Sequence, residues 1–169
     1  MRRIFVSIAM VALCLVSAGT GRAAQVTQPM NVSLTIGAPG GQVTLLVGSL
    51  VLTPPASGAS GGATGTAAIH VSASFGLPYI ITLNEGLHRI SGGLRNIVGP
   101  NGVLSYGLFA DPTGAQLWGN GESSLGGAVY GSGTGIDQTY IVYAGTAPFG
   151  ATPPPNGTYT DVVTVAVDF

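Results

Sequence analysis

Two segments at opposite ends of the chain carry the same strand pattern, and together they restrict the fold more than any other feature. In Met30 to Ile36, the apolar Met30, Val32, Leu34 and Ile36 alternate with Asn31, Ser33 and Thr35. A side-chain period of two puts the four apolar groups on one face of an extended strand. In Tyr159 to Phe169, Val163, Val165, Val167 and Phe169 share one face, with Thr160, Thr164 and Asp168 opposite. A strand that comes last in a chain has no following strand to cover its edge, and a row of unpaired N–H and C=O groups invites another chain. The alternating segment near the start is a natural strand to insert there. The two ends together predict a building block that polymerises by strand exchange.

The first residues read as a secretory leader. Arg2 and Arg3 form a basic start, Ile4 to Val16 is an apolar run too short to span a bilayer, and small residues follow toward Ala23 and Ala24. Cleavage is expected after Ala23 or Ala24, with a site after Ala18 as the alternative. The organisation is therefore a signal peptide over residues 1–24, a donor strand over 25–36 and a single β-sandwich domain over 37–169. The paired arginines also fit a signal for folded export, but any basic leader needs such residues. Cys14, the sole cysteine, lies inside the apolar run after Leu13, which is too large for a lipoprotein cleavage site. It reads as a small buried hydrophobe.

Without the leader the chain has no cysteine and no lysine, and Arg89 and Arg95 stand against Glu85, Asp111, Glu122, Asp137, Asp161 and Asp168, a net charge near minus four. That balance excludes nucleic acid or an acidic membrane as a partner bound through a basic surface. Stability must come from burial and strand pairing rather than from cross-links. Short strands cut by glycine and proline fill the rest. Gln42 to Leu52 is a long apolar run ending at Pro54 and Pro55. Strands are expected at Ala67 to Ser74, Tyr79 to Asn84, Leu104 to Leu108 and Gln138 to Ala144. Pro153-Pro154-Pro155-Asn156-Gly157 is a stiff stretch turning into the last strand. No segment has a helical period. Six or seven strands in one domain predict an all-β, immunoglobulin-like β-sandwich.

Four motifs, in order and at their spacing, carry a resemblance. They are Tyr79 to Gly86 (Tyr-Ile-Ile-Thr-Leu-Asn-Glu-Gly), Leu104-Ser105-Tyr106-Gly107-Leu108 followed by Asp111, Trp118-Gly119-Asn120-Gly121, and Gly157 to Val165. The chain from about Met30 to Phe169 resembles the spore coat protein U domain family, which includes the Csu-type pilins of the archaic chaperone-usher pathway. The resemblance implies an incomplete immunoglobulin-like β-sandwich completed by a donor strand from a neighbouring subunit. It also implies a periplasmic chaperone, an outer-membrane usher and identical or related pilin subunits as partners. Many members carry a disulfide whose two positions fall at or near Gln42 and Ala73, and both cysteines are absent here.

Residues for catalysis are sparse. His70 and His88 are the two histidines, and neither has a cysteine or second carboxylate at metal-ligand spacing. Glu85, His88 and Arg89 offer an acid, a base and a cation, but a polar loop around Gly86 accounts for them more simply. Trp118 is either a platform for stacking a sugar or a packing anchor beside a glycine turn, and the second is the simpler reading. The chain is therefore expected not to be an enzyme and to need no metal or other cofactor. Met30, Val32, Leu34 and Ile36 are the expected donor side chains, and Val163, Val165, Val167 and Phe169 the strand beside the acceptor groove. The implied role is a secreted structural subunit of a surface fimbrium that supports adhesion and biofilm formation. A spore or cell coat protein and a fimbrial adhesin are the alternatives.

Overall fold

The computed structural model describes residues 26–28, 30–32, 41–56, 60–89, 94–100, 102–122, 125–150 and 154–169. The expected leader, with Cys14, lies outside the described residues, as do Leu34 and Ile36. Among the described residues there are eleven strands and no helix. They are β1 (Val26–Gln28), β2 (Met30–Val32), β3 (Val43–Val47), β4 (Leu50–Leu52), β5 (Thr64–Ala73), β6 (Pro78–Leu83), β7 (Arg95–Gly99), β8 (Gly102–Phe109), β9 (Val129–Ser132), β10 (Asp137–Thr146) and β11 (Val163–Asp168).

Alternation along these strands builds the core. In β5, Ala67, Ile69, Val71 and Ala73 point inward, and in β6 Tyr79, Ile81 and Leu83 do the same. One antiparallel sheet has the order β3-β5-β10-β8-β7, and the facing sheet has the order β2-β11-β6-β9. Their inner faces share one cluster that includes Val43, Leu45, Ile97, Leu108, Val142, Val163 and Val165. The result is the expected all-β, immunoglobulin-like sandwich, two sheets packed through their apolar faces.

The long apolar run of Gln42 to Leu52 is two strands, because the chain changes partner after Gly48. Val47 pairs with Ile69 of β5, and the Gly48 N–H still bonds to the Ala68 carbonyl at 2.9 Å. β4 then pairs antiparallel with β1. Its backbone lies so close to β5 that a Cβ on Gly65 would sit 2.1 Å from the Val51 carbonyl oxygen. Only glycine fits there.

The last strand is shorter than its pattern and crosses between sheets. Thr160 exchanges two 2.9 Å backbone bonds with Val98 of β7, in the first sheet, and β11 starts at Val163 in the second. Tyr159 and Asp161 are buried at the crossing, and the Tyr159 hydroxyl donates to the Pro155 carbonyl at 2.9 Å.

The outer edge of β11 also differs from expectation, for it is not bare. β2 lies along it in parallel, with Val163 opposite Met30, Thr164 opposite Asn31 and Val165 opposite Val32. An open edge takes the nearest free strand, and here that strand is the chain's own N-terminal segment.

Candidate subunit-docking site

The residues expected to flank an acceptor groove lie in β11 and just past it, in graded burial. Val163 and Val165 are fully buried between the sheets, Val167 packs partly buried against the same core, and Phe169, just past β11, is 40% exposed. Valine alternating with Thr164 and Ala166 favours this extended, half-buried backbone. On one side β11 pairs with β6 from Val165 opposite Leu83 to Asp168 opposite Ile80. On the other, the β2 ladder ends at Val165. From Ala166 onward that outer edge has no ladder partner among the described residues.

Met30 and Val32 therefore lie on the edge of the strand that carries Val163 and Val165, but within one chain and in parallel. β1 and β2 use short stretches of the expected donor segment, which sits against β4 as well as β11.

A polar cluster built around buried Asp161 and Arg95 fixes the start of β11. Asn84, just after β6, extends the ladder: its N–H bonds to the Thr164 carbonyl at 3.0 Å and its Oδ1 accepts from the Thr164 N–H at 2.8 Å. Asp161 is buried; its Oδ1 accepts from the Leu87 N–H at 2.8 Å and its Oδ2 from the Tyr106 hydroxyl at 2.8 Å. His88 Nδ1 lies 3.4 Å from the same carboxylate. The Arg95 side chain, also buried, donates from Nε to the Asn84 carbonyl at 2.8 Å and from Nη2 to the Leu83 and Trp118 carbonyls at 3.1 and 3.3 Å. Its Nη1 is buried without a hydrogen-bond partner among the described residues, and a buried donor left unpaired costs stability that the other bonds must offset. Burial pulls the Arg95 guanidinium below its usual value, while Tyr106, Asp161 and Glu85 pull it back. Arg95, Tyr106 and Asp161 come from three distant segments, so no local pattern marks them as a set. Asn84, Tyr106 and Asp161 do fall inside the motifs that carried the family resemblance.

The other candidates resolve into structure. Trp118 is buried, with its indole N–H on the Ile81 carbonyl at 3.1 Å, so its ring is a packing anchor and offers no face to a sugar. Glu85 and Arg89 form an exposed ion pair on the polar loop. His70 Nδ1 bonds across strands to Asp137 at 2.8 Å on the outer face of the first sheet. No group of three or more His, Cys, Asp or Glu side chains among the described residues is placed to hold a metal. Gln42, one of the two positions implied for a family disulfide, exchanges bonds with Ser74: its N–H donates to Ser74 Oγ at 3.0 Å, and its carbonyl accepts from the Ser74 N–H at 3.1 Å. Ala73 pairs with Val43. A bridge here would join one of these facing pairs.

No curated protein matches the chain. Among solved structures, one chain of the CsuC-CsuE chaperone-tip adhesion subunit pre-assembly complex, from the archaic chaperone-usher Csu pili of Acinetobacter baumannii, shares the fold. It is 20% identical with a TM-score of 0.50, over 76% of this chain and 40% of that one. The present chain thus spans well under two thirds of the chain it matches. The Spore Coat Protein U domain matches residues 2–166, and with nearly its whole length inside that match the chain belongs to the Spore Coat Protein U domain family.

Proposed function

We propose that the chain is a secreted structural subunit of a cell-surface pilus, assembled by donor-strand exchange and supporting adhesion and biofilm formation. The observation that carries this reading is the outer edge of β11: it lies directly over the core residues Val163 and Val165, and among the described residues it is paired over three positions, by the chain's own N-terminal strand. A short parallel ladder is readily displaced by a longer strand from another copy. Residues 25–36 would supply that strand, with Met30, Val32, Leu34 and Ile36 entering the groove of the sandwich domain over 37–169. This is β-strand addition, with main-chain bonds setting the register and alternate side chains giving specificity. Four such side chains at roughly 1.5 to 3 kcal/mol each give about 6 to 12 kcal/mol of gross hydrophobic stabilisation per junction. The contact is head to tail and does not close, so repetition makes a filament.

A leader over residues 1–24 would send the chain through the periplasm, where a chaperone covers the β11 edge until an outer-membrane usher exchanges it for the next subunit. The matched complex, a chaperone with a pilus subunit, supports that route by analogy of fold.

The test is polymer on an unboiled gel together with negative-stain microscopy of cells secreting the protein. Leu34→Asp should abolish polymer, because a charge would enter a dry groove unpaired, while Ser33→Asp on the opposite face should leave it intact. Equal effects at the two positions would rule out strand insertion, and an amorphous layer in place of thin fibres would favour the coat protein.

A further inference from the structure

The two ends of the sandwich are unlike. At one, the β5–β6 turn and the β9–β10 turn are tied together by backbone bonds from Gly76 N to Gly133 O at 2.8 Å, Gly133 N to Leu77 O at 2.7 Å and Gly135 N to Ala73 O at 3.0 Å. Phe75, 88% exposed, and Ile136, 71% exposed, stand on these two turns. The body of the chain also begins here, since Gln42 bonds to Ser74 in both directions. This is the pole from which an N-terminal donor strand leaves. At the opposite pole β11 begins, and beside it Leu87, 69% exposed, is held by its N–H to Asp161, two residues before Val163.

Given the strand-exchange reading, on which this inference rests, direction decides which poles meet. β11 runs from the Leu87 pole, where Val165 faces Leu83, toward the Phe75 pole, where Asp168 faces Ile80. A donor inserted parallel to β11 would bring its Ile36 end to the acceptor's Phe75 pole. Two exit poles would then face each other, and reciprocal exchange would close a two-fold pair. Antiparallel insertion instead brings Ile36 to the acceptor's Leu87 pole and leaves the next exit free, as an open filament requires. Only Gly37, Ala38, Pro39 and Gly40 separate Ile36 from Gly41. Five Cα steps reach at most about 18 Å, so the two bodies must abut end to end.

We propose that Phe75 and Ile136 of one copy pack against the Leu87 loop of the next, a second contact at every joint of the filament beside the inserted strand. Two large apolar side chains held out on hydrogen-bonded turns are thereby covered by a second copy of this chain. The filament joint is stiffened in the same step.

Single-cysteine variants test this directly, because Cys14 is the one native cysteine and lies in the expected leader. In filaments formed by the full chain, F75C and L87C should lose maleimide labelling relative to the monomer, while L46C, on the outer face of β3 away from both poles, should keep it. The pairs F75C/L87C and I136C/L87C, treated with a short bismaleimide, should give a ladder that survives boiling. An unboiled ladder with full labelling at F75C and no covalent ladder from either pair would overturn the joint contact and leave strand exchange standing. No unboiled ladder from the parent chain would overturn both.

Discussion

Replacing Asp161 by alanine should cost far more stability than changing an exposed charged residue of the sandwich. The carboxylate is buried and accepts two 2.8 Å bonds, from the Leu87 N–H and the Tyr106 hydroxyl, and its charge also opposes the desolvation of buried Arg95. A hydrogen bond to a charged group contributes about 1.5 to 3 kcal/mol, so losing both amounts to roughly 3 to 6 kcal/mol. That agrees with the 3 to 5 kcal/mol or so lost when one partner of a buried ionic set is removed. Against a domain stability of about 5 to 15 kcal/mol it is a large fraction. With a urea slope of about 2 kcal/mol/M, the unfolding midpoint should fall by about 1.5 to 3 M with the slope unchanged. Asp161→Asn keeps one acceptor oxygen and should lose about half as much. Asp137→Ala, which removes the exposed partner of His70, should stay within about 1 kcal/mol. If Asp161→Ala and Asp137→Ala shift the midpoint equally, the buried cluster does not hold the start of β11.

Gly86→Ala should destabilise the same corner, since Gly86 has φ +73° and an added Cβ would meet Asp161 Oδ2 at 2.2 Å; the urea midpoint should fall well beyond the ordinary cost of a surface substitution. Asp111 is held below the usual carboxylate range by the Thr113 hydroxyl and then by the Gln116 N–H. Its stabilisation is therefore complete above the unfolded value of about 3.9 and is lost as pH falls through the lower folded value. The melting-temperature gap between wild type and Asp111→Asn should accordingly be constant near neutrality and close in strong acid. A V43C/A73C bridge across the β3–β5 ladder closes a loop of about 30 residues and should add up to about 3 to 4 kcal/mol under oxidising conditions. A reductant should remove that gain and leave the parent chain's melting temperature unchanged.

The strands that read clearly from sequence are those whose inner and outer faces alternate in chemistry. Tyr79, Ile81 and Leu83, or Val163 and Val165, are apolar because they are buried, and the residues between them face outward. β7 escaped because Arg95, Asn96 and Ile97 are buried in succession, so its inward side is partly polar. Asn96 Oδ1 accepts from Ser105 at 2.9 Å, a cross-strand bond that no local pattern announces. β9 holds only Val129 and Tyr130 among small residues, too little to mark a strand. The crossing at Asp161 and Val162, after the single Thr160 bridge to Val98, carries a strand pattern and yet belongs to neither ladder, because the buried Tyr159 and Asp161 fix it from distant partners. The alternation of Met30, Val32, Leu34 and Ile36 marks an apolar face on an extended segment. It says nothing of direction, and the parallel placement of β2 on β11 could come only from the fold.

The central claim is that β11 needs a strand which, in the assembly, comes from outside its own body. Its most direct test compares the unfolding of three forms: the secreted chain, a chain lacking residues 25–36, and that shortened chain with Met30 to Ile36 grafted after Phe169 through a short flexible linker. The graft makes insertion intramolecular at an effective concentration in the millimolar range. It should melt cooperatively as a monomer that no longer polymerises, while the shortened chain should aggregate or be degraded unless a chaperone accompanies it. A shortened chain that folds alone, with a cooperative melt equal to that of the graft, would show the sandwich complete without a donor and contradict the account.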